Sequence, residues 1–307
     1  MDSVLIKVST FAFIILAGVV TGRSGKLDRR TGETLSQIVF SFTLPAAIVH
    51  AFGATEFDAS LVQLVAVGLA FTAIPYAFIY VATHHASETD RQLYLLNGIG
   101  FNIGSFGLAF VQAFFPTSAV VAACMFDAGN ALMVTGGQYA ITCALLGHGQ
   151  TEHPIRRIVR RLFASVPFDL YLILIALGLV GIQIPAPVIT FLEPVANANA
   201  FLSMFMLGLM VRPSLNREKA GKALRLLGAR LAMSAVMCAI ALAALPFELQ
   251  VRYVVATLAW APIGSLGPVF TLWIGGDHGL AGLINTLSIV IGIVAMTACV
   301  VLTGSVG

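Results

Sequence analysis

Ten apolar runs, each close to the length of a membrane crossing, decide what kind of fold is open to this chain. They lie near 4–22, 35–53, 60–83, 92–115, 118–146, 167–183, 187–211, 226–246, 250–274 and 279–303. About 20 residues of helix cross roughly 30 Å of hydrocarbon. Lipid supplies no partner for backbone N–H and C=O groups, so such runs must pair them internally, as helices. Charged residues make up 10% of the chain, against about 25% in an ordinary soluble domain. The expected class is an all-α polytopic membrane protein. The longest connections, around 147–166 and 212–225, leave no room for a soluble domain. The first run has no basic segment followed by a small-residue cleavage site, so it is read as a retained helix and not a signal peptide.

The net charge of +3 points to the membrane and not to nucleic acid, because of where the basic residues fall. Arg23, Lys26, Arg29 and Arg30 occupy the first connection, Arg91 the third, and Arg156, Arg157, Arg160 and Arg161 the fifth. Arg212, Arg217, Lys219, Lys222 and Arg225 occupy the seventh. Cytoplasmic loops collect Lys and Arg. Odd-numbered connections are therefore cytoplasmic, and both termini are expected outside a cell membrane. Lys7 and Arg252 fall on the other side, and Arg230 lies within the eighth run.

A nine-residue block occurs twice, 160 positions apart, in the middle of the fourth and ninth runs. The first copy runs Asn102-Ile103-Gly104-Ser105-Phe106-Gly107-Leu108-Ala109-Phe110. The second runs Pro262-Ile263-Gly264-Ser265-Leu266-Gly267-Pro268-Val269-Phe270. Glycine costs a helix interior about 1 kcal/mol and proline about 3, so neither run should continue as one straight helix. Non-helical backbone at membrane depth is tolerated only where protein covers it or it lines a cavity. The spacing divides the chain into five-helix repeats, 1–150 and 151–307. An odd helix number makes the second repeat enter from the opposite side, an inverted repeat with broken fourth and ninth helices crossing near the midplane.

Each second half-helix is expected to begin near Ser105 or Ser265 and to aim its free N–H groups at the crossing. A helix N-terminus behaves as about +0.5 charge, so a carboxylate is the natural guest. The expected substrate-binding set is Asn102, Gly104, Ser105 and Gly107 with Pro262, Gly264, Ser265 and Gly267. Asp127 lies inside the fifth run, where an aspartate costs about 2.5–3.5 kcal/mol on insertion scales. An intramembrane carboxylate is a functional candidate by default. Asp127 is expected to bind and release a proton during transport, with Asn130, one helical turn on, lining the same site.

Other polar residues carry weaker signals. Asn197 and Asn199 occupy a polar stretch of the seventh run expected to face the core, and Asn285 in the tenth is an open candidate. Cys124, Cys143, Cys238 and Cys299 all fall inside runs with no metal-ligand spacing, so no metal or other cofactor is expected. Catalysis is not expected either. Gly275-Gly276-Asp277 is faintly similar to membrane aspartyl protease motifs, but Ile274 stands where their first glycine belongs, and Asp277 falls in a loop.

With these residues in view, the chain resembles the auxin efflux carrier family, which includes bacterial permeases for malonate or malate. The most specific likeness lies in Asn102…Phe106-Gly107-Leu108 and in Phe126-Asp127…Asn130. The resemblance implies a scaffold plus a transporter unit holding the crossed helices and moving as an elevator. It also implies small organic anions as cargo, a homodimer, and a bacterial inner membrane. The expected function is secondary active transport of a carboxylate or dicarboxylate, coupled to protons or driven by potential. A sodium-coupled symporter of the bile-acid type and an anion channel are the alternatives.

Overall fold

The computed structural model describes residues 2–25, 27, 29–147, 154–211 and 217–304. Lys26 and Arg212, and the expected boundary between the repeats at 150–151, lie outside the described residues. All regular structure among the described residues is helical. In chain order the helices are α1 (Asp2–Arg23), α2 (Arg30–Gly53), α3 (Ala59–Ala82), α4 (Glu88–Asn97), α5 (Ile103–Phe114) and α6 (Thr117–Leu145). There follow α7 (Pro154–Leu162), α8 (Val166–Val180), α9 (Ala186–Met210), α10 (Arg217–Ala243), α11 (Leu249–Leu258), α12 (Gly267–Trp273) and α13 (His278–Thr303).

Seven of these are long and apolar enough to cross a membrane: α1, α2, α3, α6, α9, α10 and α13. The expected fourth and ninth crossings are each split, into α4 and α5 and into α11 and α12. The expected sixth is α8, only 15 residues long and, at 1.5 Å per residue, shorter than a bilayer core. Its ends are set by Pro167 in the first turn and by Gly181, whose φ of 78° closes the helix in the left-handed conformation.

Packing separates two groups of helices. In one, α9 lies along α1 and α2, and α8 packs on α2. In the other, α3 lies along α6, α10 along α11, α13 against α10, α11 and α12, and α4 against α12. Small residues draw the closest pairs together, as expected where lipid gives no hydrophobic drive between helices. A Cβ on Gly129 would come within 2.7 Å of the Leu69 nitrogen across the α3–α6 contact, and one on Gly18 within 2.9 Å of the Gly208 Cα across α1–α9. The groups meet where α6 touches α2 and α8, and where α5 touches α9. Polar clasps are few along this seam. Gln112 of α5 donates to the Ala196 carbonyl at 2.9 Å and accepts from Asn199 at 3.2 Å, while Thr43 of α2 donates to Asn199 at 3.1 Å. Asn199 thus faces the interior as its polar stretch suggests. Asn197, two residues earlier and on the other side of the helix, is exposed.

Contacts among charged and aromatic groups gather several helix ends together. Lys222 pairs with Asp90 and Lys219 with Asp277. Arg91 lies 4.9 Å over the Tyr80 ring, and Arg161 of α7 lies 4.1 Å over Trp273. The starts of α4 and α10, the ends of α3 and α12, and the connector helix α7 therefore share one end of the bundle.

Candidate functional site

The two split helices meet at their breaks. After α4 the chain leaves the helix at Gly98, passes Gly100 in the left-handed conformation (φ 78°), and re-enters a helix at Ile103. After α11 it is irregular until Gly267. The backbone N–H of Asn102 donates to the carbonyl of Pro262 at 2.8 Å, linking the breaks directly. Proline has no N–H, so the equivalent return bond cannot form. Val134, in a π turn of α6 (Met133–Gly137), wedges between them. A Cβ built on Gly100 would come within 2.6 Å of its Cγ2, and one on Gly264 within 2.5 Å of its Cγ1.

Polar side chains from neighbouring helices hold the unwound backbone, whose groups would otherwise be buried without partners. Asn130 of α6 clasps one residue through both of its backbone groups: its Oδ1 accepts from the Phe101 N–H at 3.1 Å, and its Nδ2 donates to the Phe101 carbonyl at 2.9 Å. The second break has its own clasp on α13. Ser288 Oγ accepts from the Ile263 N–H at 3.1 Å, and Asn285 Nδ2 donates to the Ile263 carbonyl at 3.1 Å. Asp127…Asn130 on α6 and Asn285…Ser288 on α13 have the same three-residue spacing. This similarity was present in the sequence but is masked there by the difference in residue type.

Asp127 stands at the centre of the first cluster and is 7% exposed. Asn130 Nδ2 donates to its Oδ1 at 2.8 Å, and the buried Tyr171 hydroxyl donates to its Oδ2 at 2.9 Å. Tyr171 belongs to α8, in the other helix group, so this bond crosses the seam. No sequence pattern points to Tyr171, because it lies 44 positions away in an otherwise apolar run.

A cavity of about 100 Å³ opens beside this arrangement. Asn102, Gly104, Ser105, Asp127, Asn130, Gly264 and Ser265 line it, with Phe40, Phe168 and Tyr171 closing it from the opposite group. Seven of the ten residues singled out in the sequence are thus brought to one cavity. The other three have packing positions. Pro262 is buried at the break and fills the space beside Gly292; Gly107 faces Leu258 at the end of α11; Gly267 faces Asn97 at the end of α4. The serines differ as well. The Ser105 hydroxyl is buried and donates to Asn102 Oδ1, whereas Ser265 is exposed and its hydroxyl has no partner among the described residues. The second half-helices start at Ile103 and Gly267, two residues either side of the expected serines. Among the described residues there is no cluster of three His, Cys, Asp or Glu that could hold a metal.

One charged group at the breaks was missed. Arg230 of α10 is 7% exposed and pairs with no carboxylate among the described residues. Its Nη2 donates to the Ala261 carbonyl at 2.8 Å, and its Nη1 reaches the Gly98 carbonyl at 3.5 Å. The guanidinium lies 5.2 Å from the centre of the Phe101 ring. Its position inside an apolar run is the same signal that singles out Asp127.

Two interrupted helices thus meet at their breaks beside a cavity that both breaks line. Residues 3–149 match the family model for membrane transport proteins, the auxin efflux carrier family. That stretch spans α1 to α6 and includes Asn102, Asp127 and Asn130, so the resemblance read from the sequence is borne out there. The matched family is one of membrane transport proteins and not of enzymes. No curated protein sequence matches the chain.

Proposed function

We propose that the chain is a secondary active transporter of a small organic anion, a carboxylate or dicarboxylate, working by alternating access. The observation that supports this best is the junction itself. The Asn102–Pro262 backbone bond joins two half-helix breaks at a cavity to which both breaks contribute residues. Paired broken helices in corresponding halves mark the substrate site of inverted-repeat carriers. At about 100 Å³ the cavity lies well below the roughly 300–1,000 Å³ of pockets for drug-sized ligands. It suits an acid of a few carbons. The hydroxyl of Ser265 and the side-chain amide group of Asn102, neither of them donating to a partner among the described residues, are the natural hydrogen-bond donors to it. The α5 N-terminus adds favourable dipole; α12, seven residues long, adds less.

In this reading the chain crosses a bacterial inner membrane ten times, as two inverted five-helix repeats with both termini outside. The gathering of Arg91, Arg161, Lys219 and Lys222 at one end of the bundle supports that orientation. The group of α1, α2, α8 and α9 is the scaffold, homodimeric by family resemblance, and the group holding the crossing slides along it as an elevator. Asp127, bonded across the seam, is the proton-coupling residue.

Counterflow in sealed proteoliposomes tests the proposal. A carrier loaded with unlabelled malonate accumulates labelled malonate transiently and saturates. Flux that neither saturates nor exchanges means a channel, and flux that requires sodium favours the bile-acid symporter type.

A further inference from the structure

A broken helix brings two opposite ends to its break. The first half presents carbonyl groups with about half a negative charge, and the second presents amides with about half a positive charge. Left alone, the carbonyl ends offset much of the attraction that the amide ends offer an anion, so the dipoles by themselves give only a weak preference. Arg230 changes that balance. We propose that Arg230 is the residue that makes the crossing select anions, by neutralising the carbonyl ends of both first half-helices from a position outside the substrate cavity. The inference rests on the anion-carrier reading above and names the charge that the reading requires.

The geometry is specific to that task. Gly98 closes α4, and Ala261 lies three residues beyond α11. One guanidinium donates to both carbonyls, at 3.5 and 2.8 Å. No carboxylate offsets its charge among the described residues, and an arginine side chain stays protonated in proteins. The Phe101 ring separates the guanidinium from the cavity. Phe101 lines the cavity that holds Asp127 on one side, and the small space against Arg230, Met233 and Ser234 on the other. The charge is therefore fixed and kept out of reach of the cargo, so it biases the cavity without trapping what binds there. With Asp127 ionised, the two buried charges offset each other. With Asp127 protonated, the surplus is positive and a bound carboxylate restores neutrality.

The test compares two substitutions that separate charge from hydrogen bonding. Arg230→Lys keeps the charge and one bond; Arg230→Gln keeps a donor for Ala261 and loses the charge. Binding of malonate and of its neutral analogue malonamide is measured by calorimetry on purified full-length protein, with melting temperature as the check on folding. Wild type should prefer malonate. The Lys variant should stay within about threefold of it, and the Gln variant should lose tenfold or more for malonate with malonamide unchanged. Equal or tighter malonate binding by Gln than by Lys would show that Arg230 only braces the backbone, and would overturn the proposal. Should the Gln protein not fold, the Lys variant decides alone, since a loss above tenfold with charge retained refutes the claim. If wild type binds malonate no better than malonamide, the anion-carrier reading fails with it. If wild type discriminates and both variants do too, only the role of Arg230 fails.

Discussion

Replacing Asn130 with alanine tests whether side chains from α6 hold the first break open. The substitution removes three hydrogen bonds at once: the two to the backbone N–H and carbonyl of Phe101, at 3.1 and 2.9 Å, and the one to Asp127 at 2.8 Å. Each buried polar group left without a partner costs about 1–3 kcal/mol. The adjoining cavity lets water reach some of them, which favours the lower end of that range. Hydrogen bonds between membrane helices average about 0.6 kcal/mol in double-mutant cycles, so three of them give about 2 kcal/mol. The two routes meet at roughly 2–4 kcal/mol. The assay is reversible unfolding of purified protein in mixed micelles by a denaturing detergent. Asn130→Asp should fall close to the alanine variant, because it keeps an acceptor for the Phe101 N–H but has no donor for the carbonyl or for Asp127. Ser288→Ala, which removes the partner of a single N–H in the second clasp, should cost about 1 kcal/mol. An Asn130→Ala protein within about 0.5 kcal/mol of the parent, the range of ordinary surface changes, would refute the idea that this clasp holds the break.

Three further outcomes follow from the same contacts. Asp127→Asn should make uptake in proteoliposomes independent of external pH between about 5 and 8; a pH profile like that of the parent removes Asp127 from coupling. Gly267→Ala places a Cβ within 2.7 Å of Asn97 Oδ1 and 2.8 Å of the Leu96 carbonyl. Overpacking of that kind costs about 1–3 kcal/mol, whereas Gly282→Ala meets nothing within 4 Å and should leave the melting temperature near that of the parent. Lys222, through its hydrogen bond, holds the Asp90 carboxyl below the usual carboxylate range. The stability from this pair is therefore present above an ordinary carboxylate pKa, near 4, and is lost as pH falls through the lowered value of the folded protein. Being half exposed on the lysine side, the pair is worth under about 1 kcal/mol, and Lys222→Ala should show a correspondingly small loss that shrinks further in high salt.

The breaks were legible because their cause is local. Gly98, Gly100, Gly104 and Gly107 in one run, and Pro262, Gly264, Gly267 and Pro268 in the other, disfavour helix whatever surrounds them. Asp127 was legible because a charge in an apolar run stands out against its neighbours. Arg230 stands out in the same way, and its meaning came only with the fold, since its partners lie 31 and 132 positions away. Tyr171 and the Asn285–Ser288 clasp depend entirely on which helices become neighbours. The glycines of the repeat divide for a reason that sequence does not express. Gly104 and Gly264 line the cavity, while Gly107 and Gly267, three residues further along the chain, face the ends of α11 and α4.

The bond from Tyr171 to Asp127 has a consequence for energy conversion. A hydrogen bond of 2.9 Å is lost once its partners separate beyond about 3.5 Å, so any slide of one helix group past the other by more than about 2 Å disconnects that phenol from the carboxylate. In the elevator proposed above, the same acid would have different company at the two ends of the stroke, and so a different hold on a proton at each. An affinity that changes with position is the thermodynamic condition for one gradient to drive another.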